Sequence, residues 1–361
     1  MKIIFSGGGT LGPVVPLLAV AEAFKKKYPQ TQFVWVGTSS GPERQLIEES
    51  HIPFFVIGAG KWRRYFSFWN ITDTFKIFIA FFQSLILLII ERPDIVISAG
   101  GFVSVPLHWA AAFLGIRSWV HQQDARIGLA NKLMFPFATK VTTALASTAQ
   151  ALTKYHAEWI GNPSRDLSVQ DVAASRRRFG IPEGAPVLFA LGGGTGSASL
   201  NKMILDALPH LPPDWHVIHL VGKERPSEMA RHAAGLFPNY HAYDFFTDGM
   251  KDAYAVADIV IARAGFATLT ELASLSCAAV ILPMFDTHQE ENARAFASHG
   301  GIIMLERDSA EGIKLAQILK DLMSDTARRK SLGKQLHVLL PRADQARIVS
   351  LLNQVVSREK A

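Results

Sequence analysis

The chain has 361 residues, 49% of them hydrophobic, and its 37 Lys and Arg outnumber its 31 Asp and Glu to give a formal net charge of +6. This length exceeds what one hydrophobic core usually organises, so two domains are expected, and the apolar content can supply both cores. The single cysteine, Cys277, excludes an intramolecular disulfide framework, fits a reducing compartment, and is expected to be a small core residue.

The chain opens with a predicted strand at residues 2–6 and a glycine-rich turn at residues 7–12. No basic region followed by an apolar stretch is seen here, so an export signal is not predicted and the cytoplasm is the expected compartment. Short apolar segments then alternate with helical patterns, which is typical of a parallel α/β sheet. Further strands are predicted at residues 32–37, 53–58, 94–98, 117–121 and 139–143.

A basic and aromatic segment at residues 61–69 leads into an apolar run at residues 77–90. The run has 14 positions, which is short of the roughly 20 residues that a membrane-spanning helix needs. Aromatic rings beside cations suit a membrane–water interface, so we expect peripheral docking on an anionic membrane; the alternative is a helix buried against the sheet. The residues expected at the membrane are Trp62, Arg63, Arg64, Phe66, Phe68, Trp69, Phe78, Phe81 and Phe82.

The positive charge is concentrated in the first half of the chain. Residues 1–160 carry 15 Lys and Arg against 9 Asp and Glu, whereas residues 161–361 carry 22 against 22. A basic surface attracts nucleic acid or an anionic membrane. Because the basic residues cluster with bulky apolar groups and not along a polar groove, no nucleic-acid partner is expected.

The strand and helix alternation resumes after a polar stretch near residue 165. A second glycine-rich turn, Gly192–Gly196, follows the first strand of this half, and the pattern after residue 307 is helical. The duplication predicts two nucleotide-fold domains. Strands are predicted here at residues 186–191, 216–221, 258–262 and 278–283.

Both glycine-rich turns are predicted where a strand passes into a helix. Without a Cβ, the backbone N–H groups and the positive helix end can approach an anion, so phosphate recognition is indicated. The alternative for each turn alone is a purely steric need for glycine. Neither turn has the dinucleotide fingerprint or the GxxxxGK[ST] phosphate loop, which disfavours a redox enzyme and an NTPase.

The order of motifs along the chain resembles one known family. The motifs are Gly8-Gly9-Thr10 with Pro16, Gly100-Gly101-Phe102-Val103-Ser104, His121-Gln122-Gln123, Gly128-Leu129-Ala130-Asn131, Gly161-Asn162-Pro163 with Arg165, and Arg263-Ala264-Gly265 with Thr268 and Glu271. From residue 2 to about residue 300 the chain resembles the MurG family, the N-acetylglucosaminyltransferases of peptidoglycan synthesis.

The resemblance implies an α/β GT-B fold, with two Rossmann-like domains whose parallel sheets face an interdomain cleft. It implies an acceptor- and membrane-binding domain at residues 1–161, a UDP-sugar-binding domain at residues 162–340, and a C-terminal helix at residues 341–361 that returns to the first domain. The implied reaction is inverting transfer of N-acetylglucosamine from UDP-N-acetylglucosamine to polyprenyl-diphosphate-linked N-acetylmuramoyl-pentapeptide. The implied location is the cytoplasmic face of the membrane. The resemblance implies no cofactor. No Cys or His cluster has metal-ligand spacing, so a structural zinc is not expected.

The resemblance also assigns residues to the two substrates. Arg offers a planar fork for phosphate oxygens and a carboxylate accepts hydrogen bonds from a ribose diol, so these side chains suit a nucleotide-sugar. The implied donor site is Arg165, Gly193, Gly194, Thr195, Gly196, Phe245, Phe246, Glu271, His288 and Gln289. The implied acceptor site is Gly9, Thr10, Leu11, Gly12, Gly100, Gly101, Ser104 and Asn131.

The chain departs from the family pattern near the acceptor. In the first turn Leu11-Gly12-Pro13 stands where the family has Gly-Gly-His, so Pro13 replaces the family histidine and supplies neither a proton nor a backbone N–H. Gln122, Asp124 and Gly194 replace further family residues. An inverting transfer needs a base for the acceptor hydroxyl, and the acceptor-side candidates are His121 and Asp124.

Two other functions are compatible with these residues. One is a GT-B glycosyltransferase that acts on another lipid, such as diacylglycerol. The other is a catalytically silent protein that binds a nucleotide-sugar or a lipid, which the altered turns favour.

Overall fold

The computed structural model describes residues 1–60, 69–225, 227–246, 248–307 and 311–357, and for residues 69–74 the backbone alone. The chain forms two compact units. The first unit comprises Met1–Ser164 and the chain from Arg342 onward, and the second comprises Arg165–Pro341. The acceptor and donor roles expected of the two domains stay predictions.

The first unit is built on a parallel sheet of seven strands within the described residues. The strands are β1 (Lys2–Ser6), β2 (Gln32–Gly37), β3 (Phe54–Val56), β4 (Ile95–Ser98), β5 (Arg117–Gln122), β6 (Lys140–Thr143) and β7 (Glu158–Trp159). Their spatial order is β3-β2-β1-β4-β5-β6-β7. Connections leave β1 and β4 toward opposite sides, which makes a crevice at the carboxyl ends of these two strands, where open α/β sheets bind ligands.

Helices cover the two faces of this sheet. They are α1 (Val15–Lys27), α2 (Glu43–Glu49), α3 (Trp69–Glu91), α4 (Ser104–Phe113), α5 (Leu129–Met134) and α6 (Ala146–Ala151). On one face α1 buries Leu17, Val20 and Phe24. On the other face α3 and α4 pack together over β1, β2 and β4.

The second unit repeats the plan with six parallel strands among the described residues. The strands are β8 (Val187–Leu191), β9 (His216–Leu220), β10 (Tyr240–Tyr243), β11 (Ile259–Ala262), β12 (Ala279–Ile281) and β13 (Ile303–Met304). The helices are α7 (Val172–Arg178), α8 (Ala198–Ala207), α9 (Glu228–Leu236), α10 (Met250–Val256), α11 (Phe266–Ser274), α12 (His288–Ala297), α13 (Gly312–Ser324) and α14 (Thr326–Leu339). The spatial order β10-β9-β8-β11-β12-β13 places the crevice between β8 and β11.

The last described helix, α15 (Gln345–Ser357), belongs to the first unit. It lies against α1 and buries Ile348, Leu352 and Val355 in the same core as Phe24. A parallel bridge between Asn162 and Arg342 joins the place where the chain leaves the first unit to the place where it returns.

The ten predicted strands are all confirmed, with ends that shift by one or two residues. The missed strands are β7, β10 and β13, and each of them lies at an edge of its sheet. An edge strand is covered on fewer sides than a central one, so it lacks the continuous apolar run that identifies a buried parallel strand. Glu158 in β7 and His241 in β10 illustrate this.

The apolar run of the first half lies in α3. Its inner face buries Ala80, Ser84 and Leu88, so the alternative of a helix packed against the sheet is confirmed for one face. Its outer face exposes Phe75, Phe78, Ile79, Phe82, Ile86, Ile89 and Ile90. Trp62, Arg63, Arg64, Phe66 and Phe68, and the side chain of Trp69, lie outside the described part of the chain. None of the helices in that part combines the length and apolarity needed to cross a bilayer.

His108 on α4 is a buried polar residue that the sequence did not single out. Its side chain is fully buried, and neither ring nitrogen has a hydrogen-bond partner among the described residues. Burial lowers the pKa of His108 from 6.5 to about 3, because the charged imidazolium has nothing to replace its hydration.

We expect His108 to make the protein sensitive to acid. Its pKa is depressed in the folded state, so its contribution to stability is present above pH 6.5 and is lost as the pH falls toward 3. At pH 5 the loss is about 2 kcal/mol relative to pH 8. His108→Leu should remove this share of the pH dependence, measured by urea unfolding at pH 8 and pH 5. An unchanged pH dependence in the variant would contradict the account.

Candidate functional site

The first crevice is formed by two turns that touch through glycine. Gly101, which follows β4, has φ +95°, and a Cβ placed on it would lie 3.1 Å from the backbone nitrogen of Gly8, which follows β1. Gly9 also has positive φ, at +82°. Any larger residue at Gly101 would therefore push the two turns apart.

A buried carboxylate holds the first turn through hydrogen bonds to its backbone. Glu43, at the start of α2, is fully buried and accepts hydrogen bonds from the backbone nitrogens of Gly9 at 3.1 Å and Thr38 at 2.8 Å. A Cβ on Gly8 would lie 2.3 Å from its Oε1. Sequence reasoning missed Glu43, because a lone Glu in the first turn of a helix is ordinarily a solvent-exposed charge that complements the helix dipole.

Two predicted acceptor residues hold the turn that follows β4, at Gly100 and Gly101. The Ser104 hydroxyl donates to the carbonyl oxygen of Gly100 at 3.0 Å and accepts from the Ser6 hydroxyl at 3.0 Å. Asn131 donates from Nδ2 to Gln122 Oε1 at 2.6 Å, and its Oδ1 lies 3.4 Å from a Cβ built on Gly100. The predicted residues Gly100, Ser104 and Asn131 thus meet in one place.

Two buried oxygens in this crevice have unused acceptor capacity. Asn131 Oδ1 and Gln123 Oε1 receive no hydrogen bond within the described residues. The Gln123 amide nitrogen contacts the carbonyl oxygen of Gly12 at 3.2 Å, so the loop after β5 reaches the first turn. Buried oxygens of this kind are satisfied by water or by the hydroxyl and amide groups of a ligand.

Thr10, Leu11 and Gly12 complete the first turn. Thr10 is exposed, and Leu11 and Gly12 are half-buried. The carbonyl oxygen of Leu11 accepts from the backbone nitrogens of Val14 and Val15, so the turn leads directly into α1. The sequence prediction placed these residues at a strand-to-helix turn, and the structure confirms that position.

His121 lies inside the first unit with both ring nitrogens engaged. Nδ1 is 2.8 Å from the Thr142 hydroxyl and Nε2 is 2.9 Å from Asn162 Oδ1. Because Asn162 Oδ1 only accepts, Nε2 carries the proton and Nδ1 accepts from Thr142, whose oxygen accepts from Trp119 Nε1 at 2.7 Å. Burial lowers the pKa of His121 to about 4, so the ring is neutral at pH 7. Asp124 lies just beyond β5 and is half-buried.

The second crevice repeats the glycine contact. Gly196 has φ +77°, and a Cβ on it would lie 2.3 Å from the carbonyl oxygen of Val221 and 2.9 Å from the Cα of Gly222. Gly193 also has positive φ, at +85°, and a Cβ there would meet no atom within 4 Å. The turn ends at Ser197, whose hydroxyl accepts from the backbone nitrogen of Leu200 and caps α8. Gly193, Gly194, Thr195 and Gly196 therefore lie at the N-terminus of α8, where the dipole favours an anion.

Arg165 and Glu271 contact each other directly. Glu271 on α11 is buried, and its Oε1 accepts from Arg165 Nε at 3.0 Å and from Nη2 at 2.9 Å. Its Oε2 accepts from the Tyr254 hydroxyl at 3.0 Å. Burial, together with the negative charge of Glu271, raises the pKa of Tyr254 well above its usual value, so Tyr254 remains a donor.

The two phenylalanines after β10 have different surroundings. Phe245 is exposed, and Lys223 Nζ lies 4.3 Å from the centre of its ring. Phe246 is half-buried, and its ring centre is 4.9 Å from that of Tyr243 and 5.8 Å from that of Phe179. Phe245 is thus available to a planar ligand, whereas Phe246 packs in the unit.

His288 and Gln289 begin α12, beyond β12. His288 is exposed. Gln289 is half-buried, donates its backbone N–H to the Thr287 hydroxyl at 3.2 Å, and accepts from the backbone nitrogen of Met284 at 3.2 Å. The first turn of α12 is therefore capped internally. Like the residues after β8, β9, β10 and β11, it lies at the carboxyl edge of the second sheet.

Comparisons with known proteins agree with this division. The chain matches the glycosyltransferase family 28 N-terminal domain over residues 3–143 and the glycosyltransferase family 28 C-terminal domain over residues 187–345. It is 34% identical over 329 residues to the UDP-N-acetylglucosamine--N-acetylmuramyl-(pentapeptide) pyrophosphoryl-undecaprenol N-acetylglucosamine transferase of Clostridium kluyveri, covering 90% of this chain and 92% of the relative. The transferase of the same name from Legionella pneumophila is 30% identical, over 98% of this chain and 96% of the relative. The crystal structure of Acinetobacter baumannii MurG superposes with a TM-score of 0.75 at 26% identity, covering 98% of this chain and 99% of that chain.

The glycine contact of the second unit gives a stability prediction. Gly196→Ala should lower the free energy of unfolding by about 2 to 4 kcal/mol, because it adds a clash with Val221 to a strained φ. Gly235→Ala is the matched control, since it lies in α9 and a Cβ there meets no atom within 4 Å. It should raise the free energy of unfolding by up to about 1 kcal/mol. Equal urea midpoints for the two variants would show that close approach is not required.

Proposed function

Because this chain belongs to the MurG family within glycosyltransferase family 28, we propose that it transfers N-acetylglucosamine from UDP-N-acetylglucosamine to polyprenyl-diphosphate-linked N-acetylmuramoyl-pentapeptide. The observation that carries the proposal is similarity to the named transferases along most of the chain, together with glycine contacts at both crevices. The product is the disaccharide lipid used in peptidoglycan synthesis.

The reaction exchanges one bond at the anomeric carbon of the donor sugar. The acceptor hydroxyl oxygen bonds to that carbon as the bond to the UDP oxygen breaks, and the hydroxyl proton passes to a base. The departing diphosphate gains negative charge, which N–H groups at a helix N-terminus and a guanidinium can stabilise. We assign these roles to Gly193–Gly196 and to Arg165.

The Arg165–Glu271 pair supports a role in donor binding. About half of the Arg165 side chain is exposed, so its guanidinium is accessible while Glu271 orients it. Each carboxylate oxygen has two lone pairs; Oε1 already accepts two bonds from Arg165 and Oε2 accepts one from Tyr254, so one lone pair of Oε2 remains for a ribose hydroxyl. We propose that Phe245 stacks on the uracil ring and that His288 and Gln289 contact the sugar.

The acceptor crevice contains the proposed base. His121 is neutral, buried and bonded at both nitrogens, which supports a positioning role for it. Asp124 is then the candidate base. The oxygens of Asn131 and Gln123, together with Thr10, Leu11 and Gly12, would surround the muramoyl sugar and its diphosphate, while the buried Ser104 would hold the turn at Gly100.

The outer face of α3 supports docking on a membrane. Its exposed Phe and Ile side chains form a continuous apolar surface, such as peripheral proteins bury in lipid. The first half of the chain carries the whole excess of positive charge, which anionic lipid attracts. We propose that this face lies on the cytoplasmic leaflet, where the lipid acceptor is held.

A transfer assay tests the reaction and its residues. Purified protein, labelled UDP-N-acetylglucosamine and the lipid-linked muramoyl-pentapeptide should yield disaccharide lipid. Glu271→Gln should raise the KM for the donor at least about ten-fold, because a charged acceptor is lost. Asp124→Asn should lower kcat by about 10² to 10⁴ with the donor KM unchanged, and His121→Ala should also lower kcat more than donor affinity.

Three outcomes would contradict parts of this account. Donor binding without transfer would favour a silent binding protein. Transfer to diacylglycerol, with none to the muramoyl lipid, would favour the other lipid acceptor. Full turnover in Asp124→Asn would remove Asp124 from the mechanism.

Vesicle flotation tests the membrane surface. Replacing both Phe75 and Phe82 with Ser should reduce binding to vesicles rich in phosphatidylglycerol at least about ten-fold, because two exposed aromatic rings no longer enter the lipid. The control replaces Met229 and Leu236, two exposed apolar residues of α9, with Ser. Equal loss in both double variants would contradict docking through α3.

A further inference from the structure

The first unit contains an apolar cavity of about 660 Å³ beside the acceptor crevice. This is within the range of about 300 to 1,000 Å³ that ligand pockets occupy. Residues of α3, α4 and α5 line it, among them Ile77, Phe81, Val105, Trp109 and Leu133. Nothing in the transfer chemistry above uses this cavity.

The cavity begins at the glycine turn of the acceptor crevice. Phe102 lines it, and the same ring lies 3.0 Å from a Cβ built on Gly9. Leu129 and Ala130, which also line it, directly precede Asn131 in α5. A molecule bound at the turn therefore has a path of continuous apolar contact leading away from it.

The other end of the cavity reaches the outer face of α3. Phe78 lines the cavity, and 64% of its surface is exposed. Its ring also contacts Phe82, at 5.0 Å between ring centres. The cavity thus connects the acceptor turn with the apolar surface that we propose lies on lipid.

The one polar side-chain group among the described residues that line the cavity, the Trp109 indole N–H, is already hydrogen-bonded. Trp109 Nε1 donates to the carbonyl oxygen of Leu133 at 3.0 Å, which joins α4 to α5 and presents the indole ring to the cavity. Helix α5 carries Lys132 and no acidic residue. The wall therefore suits a hydrocarbon. Lys132 does not line the cavity, but it adds a positive charge to the helix that carries Leu129 and Leu133.

We propose that this cavity binds the isoprene units nearest the diphosphate of the lipid acceptor. This inference rests on the proposed function, because it takes its ligand from that reaction. The diphosphate would lie at the turns of Gly9 and Gly101, the first isoprene units would pass Phe102 and Trp109, and the rest of the chain would leave past Phe78 into the membrane. The cavity would then contribute to acceptor recognition separately from the sugar and the peptide.

Binding of water-soluble prenyl diphosphates tests the proposal without donor, detergent or membrane. Dimethylallyl, geranyl and farnesyl diphosphates share one head group and differ in chain length. By titration calorimetry the Kd of the wild-type protein should tighten at least about ten-fold from dimethylallyl to farnesyl diphosphate, because the added units bury apolar surface. A Kd independent of chain length would overturn the inference.

Matched variants locate the effect in the cavity. Leu133→Asn and Ile77→Asn each place an amide in the wall and should abolish the dependence on chain length while keeping the dimethylallyl affinity. Phe137→Asn changes an exposed ring just beyond α5 that does not line the cavity, and it should keep the wild-type series. Equal effects of Leu133→Asn and Phe137→Asn would overturn the inference. Because binding is measured without transfer, the dependence of Kd on chain length can be interpreted even when the protein does not catalyse the proposed reaction.

Discussion

Both crevices depend on backbone segments that approach each other so closely that a Cβ would displace them. In the first unit the contact joins Gly8 and Gly101, and in the second it joins Gly196 and Gly222. Each contact lies at the carboxyl edge of a parallel sheet whose strand order reverses beside it. Open parallel sheets bind ligands at this edge, and the proposed function assigns a diphosphate to each crevice. At Gly101 and Gly196, glycine is favoured both by the short distance to the neighbouring backbone and by the positive φ.

A buried carboxylate fixes a predicted site group in each unit. Glu43 holds the first turn through the nitrogens of Gly9 and Thr38, and Glu271 fixes the guanidinium of Arg165. In both cases the acid is buried and its charge is met by several hydrogen-bond donors. In the proposed donor site, a guanidinium oriented in this way loses less conformational entropy on binding than a free side chain would.

The central strands and the glycine turns could be predicted from sequence, because apolar runs such as residues 2–6 and glycines such as Gly196 reflect local requirements. The edge strand β7 could not, since half-exposed strands lack that pattern. Glu43, Tyr254 and His108 were missed because their importance comes from long-range packing, which a linear pattern does not record. Arg165 and Glu271 were each predicted, but their contact across 106 positions was not.

His121 shows how one residue type can suit two roles that sequence alone does not separate. A histidine after a strand is compatible with a base, yet a base needs a free lone pair facing its substrate. Here Thr142 donates to one nitrogen and Asn162 accepts from the other, and burial keeps the ring neutral. Asn162 also forms a bridge with Arg342, where the chain returns to the first unit. The ring therefore couples the end of β5, which leads to Asp124, to the segment that closes the unit, and so it fixes the position from which a base would act.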